Sequence, residues 1–409
     1  MTRTLLALAA ATLVAADWAE FRGPGGRGIS PEVGLPAEWS PTENVAWKID
    51  LPGRGLSAPA VVGRKLFLTS NSGMAQHRLH ALAYDALTGK KLWERQFSTT
   101  GQTLCHPKTC MAAPTPVAGG GLVYFLFATN DLVATDTDGN VAWVRSLALD
   151  YPLATNHVGR AASPVLYKDV LIVPNENQGT SLLLGLDAKS GATRWSVERP
   201  LENNWTTPVI AEFSGKPAVL VQATKSLAAY DPITGKSLWS VEYDGLTTIP
   251  SPVVADGLVI TAGQGAVALR PKADGPPEEV WKSSKLSSGT ASPVVYDGKV
   301  YSLRRDVLVC CSLADGKVIE EVRVKGPFSA SPVAADGKLY LVSEEGIATI
   351  VKLGGAKPEL LGTGDLKLKS GGEGAEQDKA LATPAVAGGS IYLRTDKSLY
   401  CLRAAGKRS

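Results

Sequence analysis

The chain has 409 residues, and its 42 basic and 39 acidic side chains give a formal net charge of +3. A balance this close to neutrality excludes the strongly basic overall charge typical of proteins that bind nucleic acid or an anionic membrane, and leaves open a clustering of basic residues on one face. Length alone suggests two or three domains, but an internal repeat assigns nearly the whole chain to one.

The first 16 residues have the pattern of a secretory signal peptide. One basic residue, Arg3, precedes an apolar run that ends in Val14-Ala15-Ala16. This run is too short to span a bilayer, which takes about 20 residues. We therefore expect a protein exported to the periplasm or outside the cell, with cleavage near Ala16 and an N-terminal extension over residues 17–44. The absence of a Cys at the cleavage point argues against a lipid anchor.

A proline preceded by a small or hydroxyl residue recurs eight times, and each copy is followed by two apolar stretches joined by a turn. The spacing averages about 46 residues, which accommodates four short strands. The prolines are Pro59, Pro116, Pro164, Pro208, Pro252, Pro293, Pro332 and Pro384. This repeat predicts an all-β, eight-bladed β-propeller with four antiparallel strands, A to D, in each blade.

The second half of each repeat contains a turn that begins with Asp and ends with Gly, as in Asp231 and Gly235. Asp accepts backbone hydrogen bonds and Gly tolerates a positive φ, so the turn predicts a hairpin between strands C and D. Strand D then carries a Trp in most copies. In the sixth and seventh copies Ile319 and Leu360 lie near the expected Trp position.

The spacing also predicts how the ring closes. Only 25 residues follow Pro384, and the last apolar segment, 399–402, reads as a strand C. Trp47 lies 12 residues before Pro59, the distance expected between a strand D and the next repeat. We expect the strand around Trp47 to complete the eighth blade, which removes free sheet edges. The propeller then spans residues 45–403 with a tail over 404–409, and a seven-bladed ring is the alternative if one copy is irregular.

The segment 229–239, Ala-Tyr-Asp-Pro-Ile-Thr-Gly-Lys-Ser-Leu-Trp, resembles the pyrroloquinoline-quinone (PQQ) repeat. The chain is similar to PQQ-like β-propeller proteins, which include quinoprotein dehydrogenases and the non-catalytic outer-membrane assembly factor BamB. The opening Trp18…Phe21-Arg22-Gly23 is similar to that of exported bacterial members. The resemblance implies a structural role for the tryptophans in docking one blade on the next. These are Trp47, Trp93, Trp143, Trp195, Trp239 and Trp281.

Nothing in the sequence requires catalysis. Cys310 and Cys311 are adjacent, as in the vicinal disulfide of quinoprotein alcohol dehydrogenases. Neighbouring residues of a strand point to opposite faces, however, so we expect two buried structural cysteines. No Ca²⁺-binding spacing and no haem-attachment motif is recognisable. We expect no cofactor, and PQQ with calcium only if the protein is an oxidoreductase.

Five cysteines is an odd number for an exported protein. Cys105 and Cys110 share one long loop, and we expect a local disulfide between them. Zinc binding by Cys105, His106 and Cys110 is the alternative, but a fourth ligand is missing nearby.

A binding site would lie where the D-to-A and B-to-C loops surround the central channel, since rigid scaffolds present function on loops. The long loop 361–382, rich in Gly, Lys and Glu, reads as an insertion. Each candidate also has a structural alternative, such as packing between blades for Trp205 or a solvated turn for Arg304 and Arg305. The candidates are Arg54, Asn71, His106, Lys108, His157, Arg160, Asn175, Glu176, Asn204, Trp205, Lys225, Arg304 and Arg305.

The sequence thus predicts an exported, monomeric, non-catalytic scaffold of the cell envelope. Its partner would be an envelope protein, a peptide or a glycan. A PQQ- and calcium-dependent oxidoreductase and an envelope carbohydrate-binding protein are the alternatives.

Overall fold

The computed structural model describes residues 17–272, 275–368 and 378–406. Eight sheets each contain four antiparallel strands in the order A to D, and one of them has a fifth, parallel strand, so the predicted eight-bladed propeller is confirmed. The predicted signal peptide lies outside the described residues, as does the 369–377 part of the predicted insertion. Within the described residues no helix is long and apolar enough to cross a membrane.

The strands of the first four blades, in the order A to D, have the following bounds. Blade 1 comprises Ala60–Val62, Lys65–Ser72, Arg78–Asp85 and Lys91–Ser98. Blade 2 comprises Val117–Gly119, Leu122–Leu126, Asp131–Asp136 and Val141–Ser146. Blade 3 comprises Val165–Tyr167, Val170–Asn175, Leu182–Asp187 and Thr193–Glu198. Blade 4 comprises Val209–Phe213, Lys216–Gln222, Ser226–Tyr230 and Ser237–Glu242.

The other four blades repeat this order. Blade 5 comprises Val253–Ala255, Leu258–Ile260, Ala266–Arg270 and Glu278–Ser283. Blade 6 comprises Val294–Tyr296, Lys299–Arg304, Val307–Ser312 and Val318–Arg323. Blade 7 comprises Val333–Ala335, Lys338–Val342, Ile347–Lys352 and Glu359–Asp365. Blade 8 comprises Ala385–Ala387, Ser390–Arg394 and Ser398–Leu402, followed in space by Val45–Asp50. The additional elements are a 3-10 turn at Pro24–Gly26, a two-residue strand at Ile29–Ser30 and a short helix at Leu147–Asp150.

The ring closes as the spacing predicted. Val45–Asp50 pairs antiparallel with Ser398–Leu402, and Trp47 lies opposite Cys401. The strand Val45–Asp50 is therefore strand D of blade 8, and the two ends of the propeller are joined in one sheet. We call the contact between blades 8 and 1 the closure seam.

Five of the six strand D tryptophans lie against a turn glycine of the next blade. A Cβ atom added to Gly139, which has a φ of +86°, would approach the Trp93 ring to 2.6 Å. Trp93 Nε1 also donates to Thr137 O in the same turn at 3.0 Å. Glycine is thus required twice, by the positive φ and by the flat ring above it. The same approach occurs for Trp47 with Gly89, Trp143 with Gly191, Trp195 with Gly235 and Trp281 with Gly316.

Two blades lack this Trp. The strand register places Glu320 in the Trp position of blade 6 and Gly362 in that of blade 7, rather than Ile319 and Leu360. In blade 7 the missing ring is supplied by Trp39 of the N-terminal extension. Trp39 stacks on Tyr340 with ring centroids 6.4 Å apart, as Trp47 contacts Tyr392 at 6.0 Å.

Residues 17–40, which we call the N-terminal segment, cross the face of the ring that carries the A–B turns. Trp18 pairs with Val61 in blade 1, and Ala19 O accepts from Ala118 N in blade 2. On the other side of the axis, Ile29–Ser30 pairs in parallel with Val333–Ala335 of blade 7. The segment therefore crosses the axis and contacts blades on both sides, so it belongs to the propeller rather than preceding it. We call this the turn face, and the opposite one the loop face.

Candidate functional site

A cavity of about 410 Å³ opens on the loop face at the propeller axis. All eight loops between blades line this axial cavity, because each loop leads into a strand A beside the channel. Its lining residues are Leu56, His106, Lys108, Thr109, Ala113, Val158, Ala161, Trp205, Thr207, Ile249, Thr290, Ser292, Ser329, Ser331, Leu381 and Thr383, with Phe21 from the N-terminal segment. The cavity thus combines a mostly apolar and hydroxyl lining with two basic side chains.

The hydroxyl residues that precede the repeat prolines form a ring of hydrogen bonds around the axis. Each hydroxyl accepts from a backbone N–H at the equivalent position of the preceding blade, over 2.9–3.1 Å. The accepting residues are Thr115, Ser163, Thr207, Ser251, Ser292, Ser331 and Thr383. The sequence revealed these residues as a repeat, but it did not reveal that their hydroxyls form hydrogen bonds between neighbouring blades. At the eighth position Ala58 has no hydroxyl, so the ring is interrupted at the closure seam.

The rim of the axial cavity is apolar and basic. Ile249 is 43 % exposed at the entrance, and Trp205 is held there by a 2.6 Å hydrogen bond from its Nε1 to Gly159 O. Of the described residues that line the cavity, none is Asp or Glu, whereas His106 and Lys108 are both exposed. The cavity is thus suited to apolar groups that carry negative charge at their edge.

A second cavity of about 500 Å³ adjoins the first and shares Lys108 with it. We call it the side cavity. Lys108 Nζ lies 2.8 Å from Glu344 Oε1, and Ser329 Oγ donates to the same oxygen at 2.7 Å. Burial alone would raise the pKa of Glu344, but the bonds from Lys108 and Ser329 bring it below its usual value. Arg305 also lines the side cavity.

The structure brings some of the predicted site residues together and separates others. His106, Lys108 and Trp205 meet in the axial cavity, and Arg305 joins Lys108 in the side cavity. His157, Lys225 and Arg304 line neither of these two cavities.

Four of the predicted residues belong to buried polar networks. Glu176 accepts from Asn204 Nδ2 at 3.0 Å and pairs with Arg199 at 3.5 Å, and burial raises the pKa of Glu176. Asn175 Oδ1 accepts from Arg160 at 2.5 Å. Since these side chains are buried, they support the loops and do not form the surface of the axial cavity.

Arg54 and Asn71 position the long loop 99–116. Arg54 donates to Pro107 O at 2.7 Å and Thr109 O at 3.0 Å and pairs with Asp396 at 3.0 Å. Asn71 is buried and accepts from Ala112 N. These two predicted residues thus act indirectly, by holding the loop that carries His106 and Lys108.

Sequence reasoning missed the floor of the axial cavity. Phe21 of the N-terminal segment lines this floor. From the sequence, the segment was predicted only as an extension that contains a Phe-Arg-Gly motif. The available signal was an aromatic residue close to Gly23, Gly25 and Gly26. In the structure all three glycines have a positive φ, which gives the segment a tight path.

The predicted disulfide between Cys105 and Cys110 is absent from the structure, and all five cysteines are free. Cys105 is half-buried and lies 3.7 Å from Thr109 O, whereas Cys110 is fully buried. The two side chains therefore occupy different environments within one loop. Among the described residues, no group of three His, Cys, Asp or Glu side chains could hold a metal ion, which also argues against the zinc alternative.

We expect one thiol per chain to react with an aromatic disulfide reagent in the folded protein, and five after unfolding. Burial raises the pKa of Cys110 and Cys311 to about 11, so their thiolate fraction at pH 8 is very small. Cys105 is the partly exposed exception. Counting released chromophore checks this. No reaction in the folded state, with three thiols after unfolding, would show that Cys105 and Cys110 are joined.

The residues present do not fit a PQQ and calcium site. A Ca²⁺ ion takes about six to eight oxygen ligands, mostly carboxylates and carbonyls. The described lining of the axial cavity offers no carboxylate, and Glu344 beside it is already bound to Lys108 and Ser329. Cys310 packs towards blade 7 and Cys311 towards blade 5, on opposite faces of their strand, as predicted.

A family model described as outer membrane protein assembly factor BamB matches residues 32–180, 179–276 and 273–357. BamB of Yersinia pestis is 25 % identical over 317 residues, covering 71 % of this chain and 72 % of that protein. BamB of Moranella endobia (strain PCIT) is 24 % identical over 170 residues, covering 40 % and 39 %.

Two solved structures show the same fold. BamB from Moraxella catarrhalis has a TM-score of 0.61 at 17 % identity, covering 89 % of this chain and all of that one. Quinohemoprotein alcohol dehydrogenase from Comamonas testosteroni has a TM-score of 0.68 at 13 % identity, covering 96 % and 81 %. At these identities the two structures share architecture alone, whereas the family model covers most of the chain. The chain is therefore a member of the PQQ-like β-propeller family whose model is described as outer membrane protein assembly factor BamB.

Proposed function

We propose that the protein is an exported, non-catalytic interaction scaffold of the cell envelope. In this proposal the axial cavity binds a segment of another envelope protein, with apolar side chains inside and acidic residues at the rim. The observation that carries the proposal is the lining of the cavity, which comes from all eight inter-blade loops and combines exposed apolar groups with two basic side chains.

Three features support a binding role over a chemical one. The lining is fixed by the hydrogen-bonded ring of hydroxyls, so its shape is set before a partner arrives. Exposed Ile249 and Val158 form an apolar entrance of the kind that marks protein contacts. The curated relatives in the family are named as assembly factors of outer membrane proteins, which favours a protein partner in the envelope.

The proposal is tested with two fluorescent peptides of the same apolar core, one flanked by Asp and the other by Lys. We expect the Asp-flanked peptide to bind at least about tenfold more tightly, and its affinity to fall as salt is added. The reason is that Lys108, although paired with Glu344, keeps 55 % of its side chain exposed at the rim beside His106. Replacing Ile249→Asp should weaken binding by about tenfold or more. Fluorescence anisotropy measures both effects.

The matched control is Ile233→Asp, because Ile233 is 37 % exposed in a C–D turn on the opposite face. This variant should bind like the parent protein. Equal affinity for both peptides, or equal weakening by the two substitutions, would contradict the proposal. Incubation with PQQ and Ca²⁺ tests the non-catalytic part: quinone absorbance that co-elutes with the protein, together with dye reduction by alcohols, would favour the oxidoreductase instead.

A further inference from the structure

A third cavity, of about 330 Å³, lies on the loop face away from the axis. The D-to-A loop of blade 1 contributes residues 100–102, the B-to-C loop of blade 2 contributes 128–130, and the loop before blade 3 contributes 151–160. We call it the polar cavity, since its lining includes Gln102, Asn130, Tyr151, Thr155, Asn156 and Arg160.

Arg160 brings a buried positive charge to this cavity without a carboxylate to balance it. The residue is only 6 % exposed and donates to two neutral oxygens, Asn175 Oδ1 at 2.5 Å and Ala154 O at 2.9 Å. In the described part of the chain, no Asp or Glu lies within ion-pair distance of it. Burial lowers the pKa of Arg160 to about 10, so it is still charged at neutral pH. A buried charge of this kind is costly unless a counter-ion reaches it.

Several other polar groups of the polar cavity have no partner within the described residues. Asn156 Nδ2 is buried without a hydrogen bond, although Asn156 Oδ1 accepts from Val158 N at 3.0 Å. The side chains of Gln102, Tyr151 and Thr155 make no hydrogen bond to the described chain. Gln102 is exposed and Tyr151 and Thr155 are half-buried, so these three can bond to solvent, whereas Asn156 Nδ2 is buried. Buried polar groups are nearly always bonded in folded proteins, so this unbonded amide, beside the buried charge of Arg160, indicates a polar ligand.

Asp131, directly after a loop that lines the polar cavity, is by contrast an acidic residue whose carboxylate is fully hydrogen-bonded. Asp131 accepts from the hydroxyls of Thr99, Thr100 and Thr129, over 2.6–3.1 Å. Its carboxylate is therefore engaged by the loop that it supports. Arg160 thus donates to neutral oxygens and lines the cavity, whereas the Asp131 carboxylate is occupied by threonine hydroxyls.

We propose that the polar cavity binds a sugar acid, that is, a sugar ring carrying a carboxylate. The guanidinium of Arg160 would pair with the carboxylate. Gln102, Thr155 and Asn156 would meet the ring hydroxyls, and the Tyr151 ring would pack on the apolar face of the sugar. The volume lies in the range of small-ligand pockets, about 300–1,000 Å³. The cavity shares no residue with the axial cavity, so the inference is independent of the proposed protein partner.

The test compares glucuronate, galacturonate and N-acetylmuramate with glucose, galactose and N-acetylglucosamine, by calorimetry and by saturation-transfer NMR on the intact protein. Each acid should bind at least about tenfold more tightly than its neutral counterpart. Acetate should bind much more weakly than glucuronate, because it lacks the hydroxyls. Equal binding of acid and neutral sugars, binding of acetate as tight as glucuronate, or no binding by any probe would overturn the proposal.

Variants separate the site from the fold. Gln102 is exposed and Thr155 is half-buried at the cavity wall, so Gln102→Ala and Thr155→Ala should leave the unfolding transition unchanged while weakening glucuronate by about threefold or more each. Arg160→Gln should remove the preference for the acid over the neutral sugar, with thermal unfolding measured alongside. Gln178→Ala, an exposed glutamine in the B-to-C loop of blade 3, is the matched control and should bind like the parent. Unchanged binding in the first two variants would place the sugar elsewhere.

Discussion

Replacing Trp18→Ala is expected to lower the free energy of unfolding by about 3–5 kcal/mol, the usual cost of removing a buried aromatic side chain. Trp18 is buried in the largest core cluster, together with Leu35 and Trp39 of its own segment and Val61 of blade 1. Its ring lies so close to Gly23 that a Cβ there would be 2.5 Å away. The surroundings therefore have little room to collapse into the cavity. Urea unfolding followed by circular dichroism measures the loss.

The control for Trp18→Ala is Leu201→Ala, which removes a side chain that is 67 % exposed on the loop face. Its free energy of unfolding should stay within about 0.5 kcal/mol of the parent. If Trp18→Ala unfolds like this control, the N-terminal segment is not docked on the turn face. The floor that Phe21 gives to the axial cavity would then be lost as well.

The propeller itself could be predicted because each of its rules is local. Gly139 and Gly191 are needed by the turn and by the ring that covers them, and the repeat prolines start strand A where no donor is needed. Even the long-range pairing of Trp47 with Cys401 followed from counting, since a strand D was missing at one end and present at the other.

The path of the N-terminal segment could not be predicted in the same way. Its strand has only two residues, Ile29 and Ser30, and pairs with a segment some 300 residues later, so no periodicity marks it. One clue was available. Blade 7 lacks a Trp while Trp39 has no blade of its own, and the structure joins the two through Tyr340.

The candidate site was predicted at the level of loops and not of side chains. His106, Lys108 and Trp205 come from separate loops and do reach the axial cavity. Glu176 and Asn204 also lie in inter-strand loops of the loop face, yet both are buried against Arg199 and blade 4. Whether a polar loop residue faces water or a neighbouring loop depends on contacts between blades, which a single repeat does not contain.

The second large effect is expected at the closure seam, where the hydroxyl ring is interrupted and Arg394 of blade 8 donates hydrogen bonds to blade 1. Arg394 is fully buried at the end of strand B in blade 8. It donates to Ser57 Oγ at 2.6 Å, Thr69 O at 2.7 Å and Ser70 Oγ at 3.0 Å, all of which belong to blade 1 or the loop before it. The absence of a side chain at Gly55 leaves room for the Arg394 guanidinium, since a Cβ there would lie 1.8 Å from Arg394 Nη2. These bonds hold blade 8 to blade 1 at the position where Ala58 has no hydroxyl.

Arg394→Met is therefore expected to lower the free energy of unfolding by about 2–4 kcal/mol, because it leaves several buried oxygens without their donor. Burial lowers the pKa of Arg394 to about 10, because removal from water penalises the charged guanidinium. Arg394→Lys should lose less free energy of unfolding than Arg394→Met, because its ammonium keeps a charged donor. It should still be less stable than the parent, because it lacks the planar fork that reaches three acceptors.

Arg323→Met is the matched control, because Arg323 is 83 % exposed and pairs only with Asp306 at the surface. Its effect should not exceed about 0.5 kcal/mol. Hydrogen exchange gives the sharper reading: in Arg394→Met the amides of blades 8 and 1 should exchange faster, while those of blades 4 and 5 keep their rates. A uniform increase around the ring would mean that Arg394 stabilises the whole core rather than the closure seam. Exchange unchanged in every blade would mean that pairing of the Trp47 strand closes the ring without it.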